Sequence, residues 1–366
     1  MGFVLPFLNI FYVRVGLNGT EIGWTTALGA LVSLVAAPVW MSQSERWDNP
    51  RTLLQLSLAL IALCFLWLAQ QTVLPWILLI TALRALVGAG FGPMSDALAL
   101  SVTNGTRHGF GSVRVWASLG WAIVVLFSGW LIERTGLFSA FIGVALALAT
   151  GAALLFAVRR EHFGRGRGQS GPSLALGETL GNVWRNPAMR GIAAAIVMTG
   201  LANSGVGQFE MVYLEALGAG GTLLGIAGML SAVVELPCML WADRLVRRYG
   251  ARRVLLLGLW IFAALRGIVF LAPAIGTILA ERALGGVAFS FYTVALIQFI
   301  VAEAPAGQTR TVLALFNVTL ASLIGILGAP VAGAAYDLIG VRWLFAVAAL
   351  GYVLGGLALQ RRGAAT

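Results

Sequence analysis

Apolar runs of about 20 residues recur along this chain from end to end, each long enough to cross a hydrocarbon core of about 30 Å as a helix. In lipid no water is present to bond a bare peptide group, so segments of this kind must be helical. The expected spans are residues 1–16, 22–42, 53–70, 74–100, 114–132, 137–158, 191–216, 220–241, 254–272, 275–301, 312–336 and 342–359. Breaks between them are short, which makes neighbouring spans antiparallel hairpins. The first span is short and starts at Met1 inside an apolar run, with no polar lead-in or small-residue cleavage site, which argues against a removable signal peptide. Composition agrees: 59% of residues are hydrophobic and 10% charged, where a soluble domain carries about 25%. Mean hydropathy is +0.90, and a lipid bilayer is the expected surrounding.

All 24 basic residues are arginine, and their placement is informative. Loops after even-numbered spans hold Arg46 and Arg51, then Arg107, then Arg159, Arg160, Arg165 and Arg167, then Arg244, Arg247, Arg248, Arg252 and Arg253, then Arg310, with Arg361 and Arg362 at the tail. Odd-numbered loops hold only Arg14, Arg134 and Arg342. The positive-inside rule then puts both termini in the cytoplasm, which requires an even number of spans. The net charge of +10 is mostly this topology signal, so nucleic acid is not an expected partner. The expected location is a cell membrane, the bacterial inner membrane, crossed many times by one monomeric chain. Cys64 and Cys238 fall within apolar spans and His108 and His162 stand alone in loops, so no metal site, cofactor site or nucleophile triad is expected.

The chain repeats itself. An offset of 198 residues lays Arg84-Ala85-Leu86 on Arg282-Ala283-Leu284, Gly88 on Gly286, Phe91 on Phe289 and Glu45-Arg46 on Asp243-Arg244. At 204 residues, Gly129, Glu133 and Gly136 fall on Gly333, Asp337 and Gly340. Six spans is an even number, so both copies face the same way, with the repeat axis along the membrane normal. The expected organisation is an N-terminal six-helix bundle over residues 1–158, a cytoplasmic linker over 159–190 rich in glycine and arginine, and a C-terminal six-helix bundle over 191–366. A central cavity between the halves follows.

Trp241-Ala242-Asp243-Arg244-Leu245 with Arg247-Arg248-Tyr249-Gly250-Ala251-Arg252-Arg253 resembles the cytoplasmic motif between the second and third helices of a half in the major facilitator superfamily. The first-half counterpart, Ser44-Glu45-Arg46-Trp47-Asp48-Asn49-Pro50-Arg51, is degenerate, with Glu45 in place of Asp and no glycine. Pro6-Phe7-Leu8, Gly92-Pro93-Met94-Ser95-Asp96-Ala97, Arg114-Val115-Trp116-Ala117-Ser118-Leu119-Gly120 and Glu235-Leu236-Pro237 resemble the branch with phenylpropionate permeases, nucleoside/proton symporters and, more distantly, lactose permease. The resemblance implies twelve helices, alternating access and a first helix that is clipped at Met1. It also implies a role for Arg84 in proton handling or cavity potential, against snorkelling to the outer surface. The tenth helix of such symporters often carries His then Gly; here that position reads Gly285-Gly286, so a mechanism needing that histidine does not carry over.

An ionisable group near the bilayer centre costs about 2.5–3.5 kcal/mol on insertion scales, so such groups face a cavity or a partner. Residues equally far from a tight turn lie at similar depth. Asp96 and Arg114 are symmetric about Gly105 and read as a cytoplasmic gate pair, alongside Asp243, Arg244 and Glu45. Arg266 and Glu281 are symmetric about a turn near Pro273, each roughly 11 Å in from it. Glu235 sits in a run of Ala, Val, Leu and Met and reads as a proton-coupling acid, with a static pair to an arginine such as Arg266 or an interfacial position as alternatives. Glu210 and Glu215 lie toward the outer end of the seventh span. Candidate substrate contacts are Asn9, Tyr12, Asn203, Gln208, Glu210, Tyr292, Gln298 and Asn317, against the competing use of buried amides in bonding helix to helix. Gly88-Ala89-Gly90-Phe91-Gly92 imitates a dinucleotide loop but lies within one apolar span, which points to helix packing.

The reading is an all-α membrane transporter, not an enzyme, moving a small organic solute such as an aromatic acid, nucleoside or sugar. Proton-coupled uptake is expected, the proton being the coupling ion; efflux by proton antiport and a non-transporting sensor are the rivals.

Overall fold

A computed structural model describes residues 1–46, 50–103, 110–158, 181, 184–304 and 308–361. Among them every regular element of four residues or more is a helix. After a short turn at Leu5–Phe7 come α1 (Leu8–Arg14), α2 (Gly19–Arg46), α3 (Pro50–Leu68), α4 (Leu74–Gly88), α5 (Phe91–Thr103), α6 (Phe110–Thr135) and α7 (Phe138–Leu154). The second half holds α8 (Pro187–Ala216), α9 (Gly221–Tyr249), α10 (Ala251–Leu271), α11 (Ile275–Glu303) and α12 (Thr309–Ala314), then a π-helical stretch at Leu315–Leu320 and α13 (Ala321–Arg361). Nine described helices, counting α4 and α5 as one pass, are long and apolar enough to cross a membrane. The helix α7 is shorter, and α13 holds two expected spans joined at Gly340. Most of the linker expected over 159–190, along with His108 and His162, lies outside the described residues.

Large apolar side chains stand on the outside of these helices. Val35, Leu63, Leu154, Val331 and Leu338 are each at least 60% exposed. In water such a coat would drive aggregation, whereas in a bilayer it faces acyl chains of the same polarity. The chain is a multi-pass membrane protein.

The repeat is written into the backbone. Gly136 and Gly340 adopt φ of 87° and 76°, a region costly for residues with a Cβ, and they end the fifth and eleventh spans. Gly16 and Gly218 share a φ of 94° at the ends of the first and seventh. Both halves thus turn on glycine at matching places.

The described residues form two compact units. The first comprises Met1–Leu17, Thr25–Gly171 and Gly220–Gly225; the second comprises Asn18–Trp24, Pro172–Ala219 and Ile226–Thr366. In the first, α3 packs on α4 and α7. Gly90, from the glycine-rich stretch, backs onto Trp40, whose side chain donates to the Leu86 carbonyl at 2.5 Å. That stretch is a helix crossing. In the second unit α8 lies along α13, and α10 packs on α11 and α13 around Met189, Ile192, Leu255, Leu259, Phe291 and Phe299. Gly286 lets α11 meet α9: a Cβ there would sit 2.8 Å from the Ser231 carbonyl oxygen and 3.1 Å from Val234 Cβ. Gly286→Val is therefore expected to cost about 1–3 kcal/mol by overpacking. A melt of the purified protein in detergent should show a Tm several degrees lower; an unchanged Tm would mean that α9 and α11 separate freely.

Candidate functional site

Three stripes of the second unit converge on one cavity of about 510 Å³. On α8 the series Thr199, Asn203, Val206, Glu210 recurs at helical spacing; on α10 it is Leu255, Leu259, Phe262, Arg266, Val269; on α11 it is Ile278, Glu281, Gly285, Ala288, Tyr292. Each stripe is apolar or neutral except for one ionisable member per helix. The packing that buries the stripes therefore brings those charges together.

Arg266 Nη1 lies 2.9 Å from Glu281 Oε1 and 3.6 Å from Glu210 Oε2, while Arg282 Nε lies 2.8 Å from Glu210 Oε1. Arg266, Glu210 and Glu281 are at most 7% exposed, and the Arg282 side chain is 24% exposed. The four charges sum to zero when all are ionised. The Phe345 ring, 5.6 Å from the Arg266 guanidinium carbon, adds an aromatic face to the same cation. Taking such charges out of water costs several kcal/mol per ion, which only close pairing and hydrogen bonds offset.

Glu235 on α9 also lines this cavity, with Ser231, Phe289 and Tyr352. Its backbone carbonyl accepts from the Ser290 hydroxyl at 3.0 Å. Gly285 borders Glu281, and a Cβ there would lie 3.3 Å from Glu281 Oε1. The carboxylate thus occupies space beside Gly285.

Among the sequence candidates, Glu210, Glu235, Arg266, Glu281, Asn203 and Tyr292 share this cavity. Glu210, placed toward the outer end of the seventh span and also a substrate candidate, is buried, because α8 packs so that its carboxylate meets Arg266 and Arg282. Arg282, which follows Glu281 in sequence and matches Arg84 in the repeat, lines the cavity as well. Gln208 donates to the Ser204 and Ala329 carbonyls at 3.4 Å, tying α8 to α13 away from the cavity. Gln298 donates to Asp243 Oδ1 at 2.9 Å, so its amide serves the cytoplasmic motif, where Asp243 also pairs with Arg247. Arg244 beside it is exposed.

Other candidates belong to the first unit. Tyr12 is 2% exposed, beside Thr81 and Arg84, and the Arg84 guanidinium lies 5.4 Å from the centre of the Phe65 ring. Asn9 is half-buried on α1 and Asp96 exposed on α5. The side chains of Glu45, Arg114 and Asn317 lie outside the described residues, and with them the expected Asp96–Arg114 gate pair.

Comparison with known proteins gives the arrangement a context. The model of the MFS_1 like family matches residues 1–347. The maltose permease of Geobacillus stearothermophilus is 28% identical over 320 residues, covering 86% of this chain and 79% of that protein. A probable 3-phenylpropionic acid transporter of Escherichia coli is 25% identical over 359 residues, covering 95% and 91%. The crystal structure of the nucleoside transporter NupG superposes with a TM-score of 0.82 at 15% identity, covering 99% of this chain and 95% of that one, which shows a shared fold.

Proposed function

This chain belongs to the MFS_1 like family of major facilitator transporters, and from that premise we propose that it couples proton movement to uptake of a small, oxygen-rich organic solute through the cavity of the second unit. The observation that carries this reading is the buried set of Glu210, Arg266, Glu281 and Arg282 on a cavity wall. Two carboxylates share Arg266. With both ionised, its charge is fully engaged. A proton on Glu281 removes one partner and frees positive charge for a solute hydroxyl or carboxylate, so proton and solute favour each other's binding. Glu235, on the same wall, is the second coupling acid, and Arg84 sets the potential in the first unit.

Asn203, whose buried Oδ1 has no hydrogen-bond partner among the described residues, and Tyr292 supply neutral solute contacts. Asp243, Arg244, Asp96, Arg114 and Glu45 form the cytoplasmic gate. Sugars, aromatic acids and nucleosides, the solutes named for the similar proteins, all present the required oxygens.

The test begins with thermal shifts of purified protein against maltose, 3-phenylpropionate and uridine, followed by proteoliposome uptake of the stabilising solute. Tyr292→Phe and Asn203→Ala should each weaken its Kd about tenfold, equal to about 1.4 kcal/mol. Binding unaltered by either change would move the solute site out of this cavity.

A further inference from the structure

The first unit holds a cavity of its own, about 440 Å³, opposite in character to the charged one. Leu54 and Leu58 of α3, Leu98 and Val102 of α5, and Leu148 and Leu155 of α7 line it, and Ser95 carries the one polar side chain among its described lining residues. Such a wall suits hydrocarbon. On α3, Gln55 donates to the Ala152 carbonyl of α7 at 2.9 Å and Ser57 to the Val87 carbonyl of α4 at 2.6 Å. These bonds hold α3 in place, and α5, which continues from α4, leaves a groove along the α3–α7 pair. From Phe91 to Val102 the groove follows α5 for about 16 Å at 1.5 Å per residue. Val102 in its lining and Leu154 beside it are exposed, part of the apolar coat that faces acyl chains.

A cation stands at the end of this groove. Arg51 precedes Leu54 by one turn of α3, and its guanidinium carbon lies 4.6 Å from the centre of the Phe156 ring, next in sequence to Leu155. An arginine at a helix end ordinarily extends its head into water. Arg51 does not: it is 9% exposed, and its buried Nε has no hydrogen-bond partner among the described residues. None of the ion pairs among the described residues includes it. A guanidinium taken out of water in this way is costly until an anion meets it. The sequence adds Arg46 before it and Arg159 and Arg160 after Phe156, at the end that the arginine distribution puts in the cytoplasm.

We infer that Arg51 and the groove form a binding site for one anionic glycerophospholipid, its phosphate on the Arg51 guanidinium and an acyl chain laid between α5 and the α3–α7 pair. The unpaired cation and the apolar wall are separate observations, and each calls for one end of the same molecule. Free phosphate leaves the groove empty. A choline head brings a second positive charge to a site that already has one, whereas a head with net negative charge is drawn to it. The site lies within the first unit and uses none of the coupling charges, so it stands or falls apart from the transport mechanism.

The test titrates purified, lipid-stripped protein in detergent with phosphatidylglycerol, with phosphatidylcholine of the same acyl chains, and with inorganic phosphate. Native mass spectrometry counts the lipid retained, and a melt reports stability. Phosphatidylglycerol should be held at one per chain, with a Kd about tenfold below that of phosphatidylcholine, and inorganic phosphate should not raise the Tm. Arg51→Ala should erase this preference by weakening phosphatidylglycerol alone. Gly151→Leu fills the groove, because a Cβ on Gly151 meets only Leu58 Cδ1, at 4.0 Å, and a longer side chain enters the open space. It should weaken both lipids about tenfold while the lipid-free protein melts no lower, since leucine replaces glycine inside a helix. Equal retention of the two lipids by the parent protein would overturn the proposal, as would stabilisation by inorganic phosphate equal to that by phosphatidylglycerol. Phosphatidylglycerol binding that survives both substitutions would also overturn it and would assign Arg51 to a loop carboxylate such as Asp48. Where Arg51→Ala does not fold, Gly151→Leu decides alone: undiminished retention in that variant removes the site.

Discussion

Glu281→Gln is expected to abolish proton-driven accumulation of solute while leaving solute counterflow running. The amide keeps the volume of the carboxyl and an oxygen for Arg266 Nη1, now 2.9 Å away, but it cannot take up or release a proton. Solute exchange needs only the binding site and the rocking of the halves; accumulation also needs the proton step. With one proton per solute, a gradient of one pH unit supports about tenfold accumulation, since one unit equals about 1.4 kcal/mol. The variant should therefore equilibrate its solute, with no gradient-driven excess, at near-normal counterflow rates in proteoliposomes. Equal loss of both activities would show that Glu281 holds the cavity together and does not couple protons. Glu235→Gln in the same assay separates the two acids: it should change the pH dependence of uptake more than its extent.

Removing Arg266 should have the largest effect on stability. Arg266→Met leaves Glu281, 3% exposed, without its guanidinium partner and Glu210 with Arg282 alone. Breaking a buried ion pair at one partner costs about 3–5 kcal/mol, because the other charge stays buried and unpaired. The variant should melt well below the parent or fail to insert. The quadruple change Arg266→Met/Glu281→Leu/Glu210→Gln/Arg282→Gln removes the four charges together and should recover most of the lost Tm, since neutral replacement of a whole buried set is often without cost or stabilising. It should carry no proton-driven flux. Recovered stability with absent coupling would show that the charges are kept for transport rather than for folding. Recovered coupling would eliminate the set from the mechanism.

The fold was largely legible because a bilayer leaves few choices. Apolar length set the spans, and α4 with α5, α8, α10 and α11 cover the expected segments to within a few residues. Misjudged ends have a physical origin: α9 runs on through the arginine-rich motif to Tyr249, because a helix does not stop where its hydropathy does. The site was legible in part. Depth about a hairpin turn relates Arg266 to Glu281, on consecutive helices, but no such arithmetic relates either to Glu210. That residue arrives from α8 by tertiary packing. Amides divided the same way. Asn203 and Gln208 sit five residues apart on one helix, yet only Asn203 faces the cavity, a difference set by the rotation of α8 against α13.

The most direct measurement of the coupling claim is the pH of a weakly buffered medium outside proteoliposomes when the stabilising solute is added with no gradient imposed. Inward movement of solute with protons should make the medium more alkaline, in proportion to solute taken up, and Glu281→Gln should give no change while still exchanging solute. Acidification on solute entry would mean proton antiport, and solute entry without any pH change would contradict the assignment of Glu210, Arg266, Glu281 and Arg282 to proton coupling.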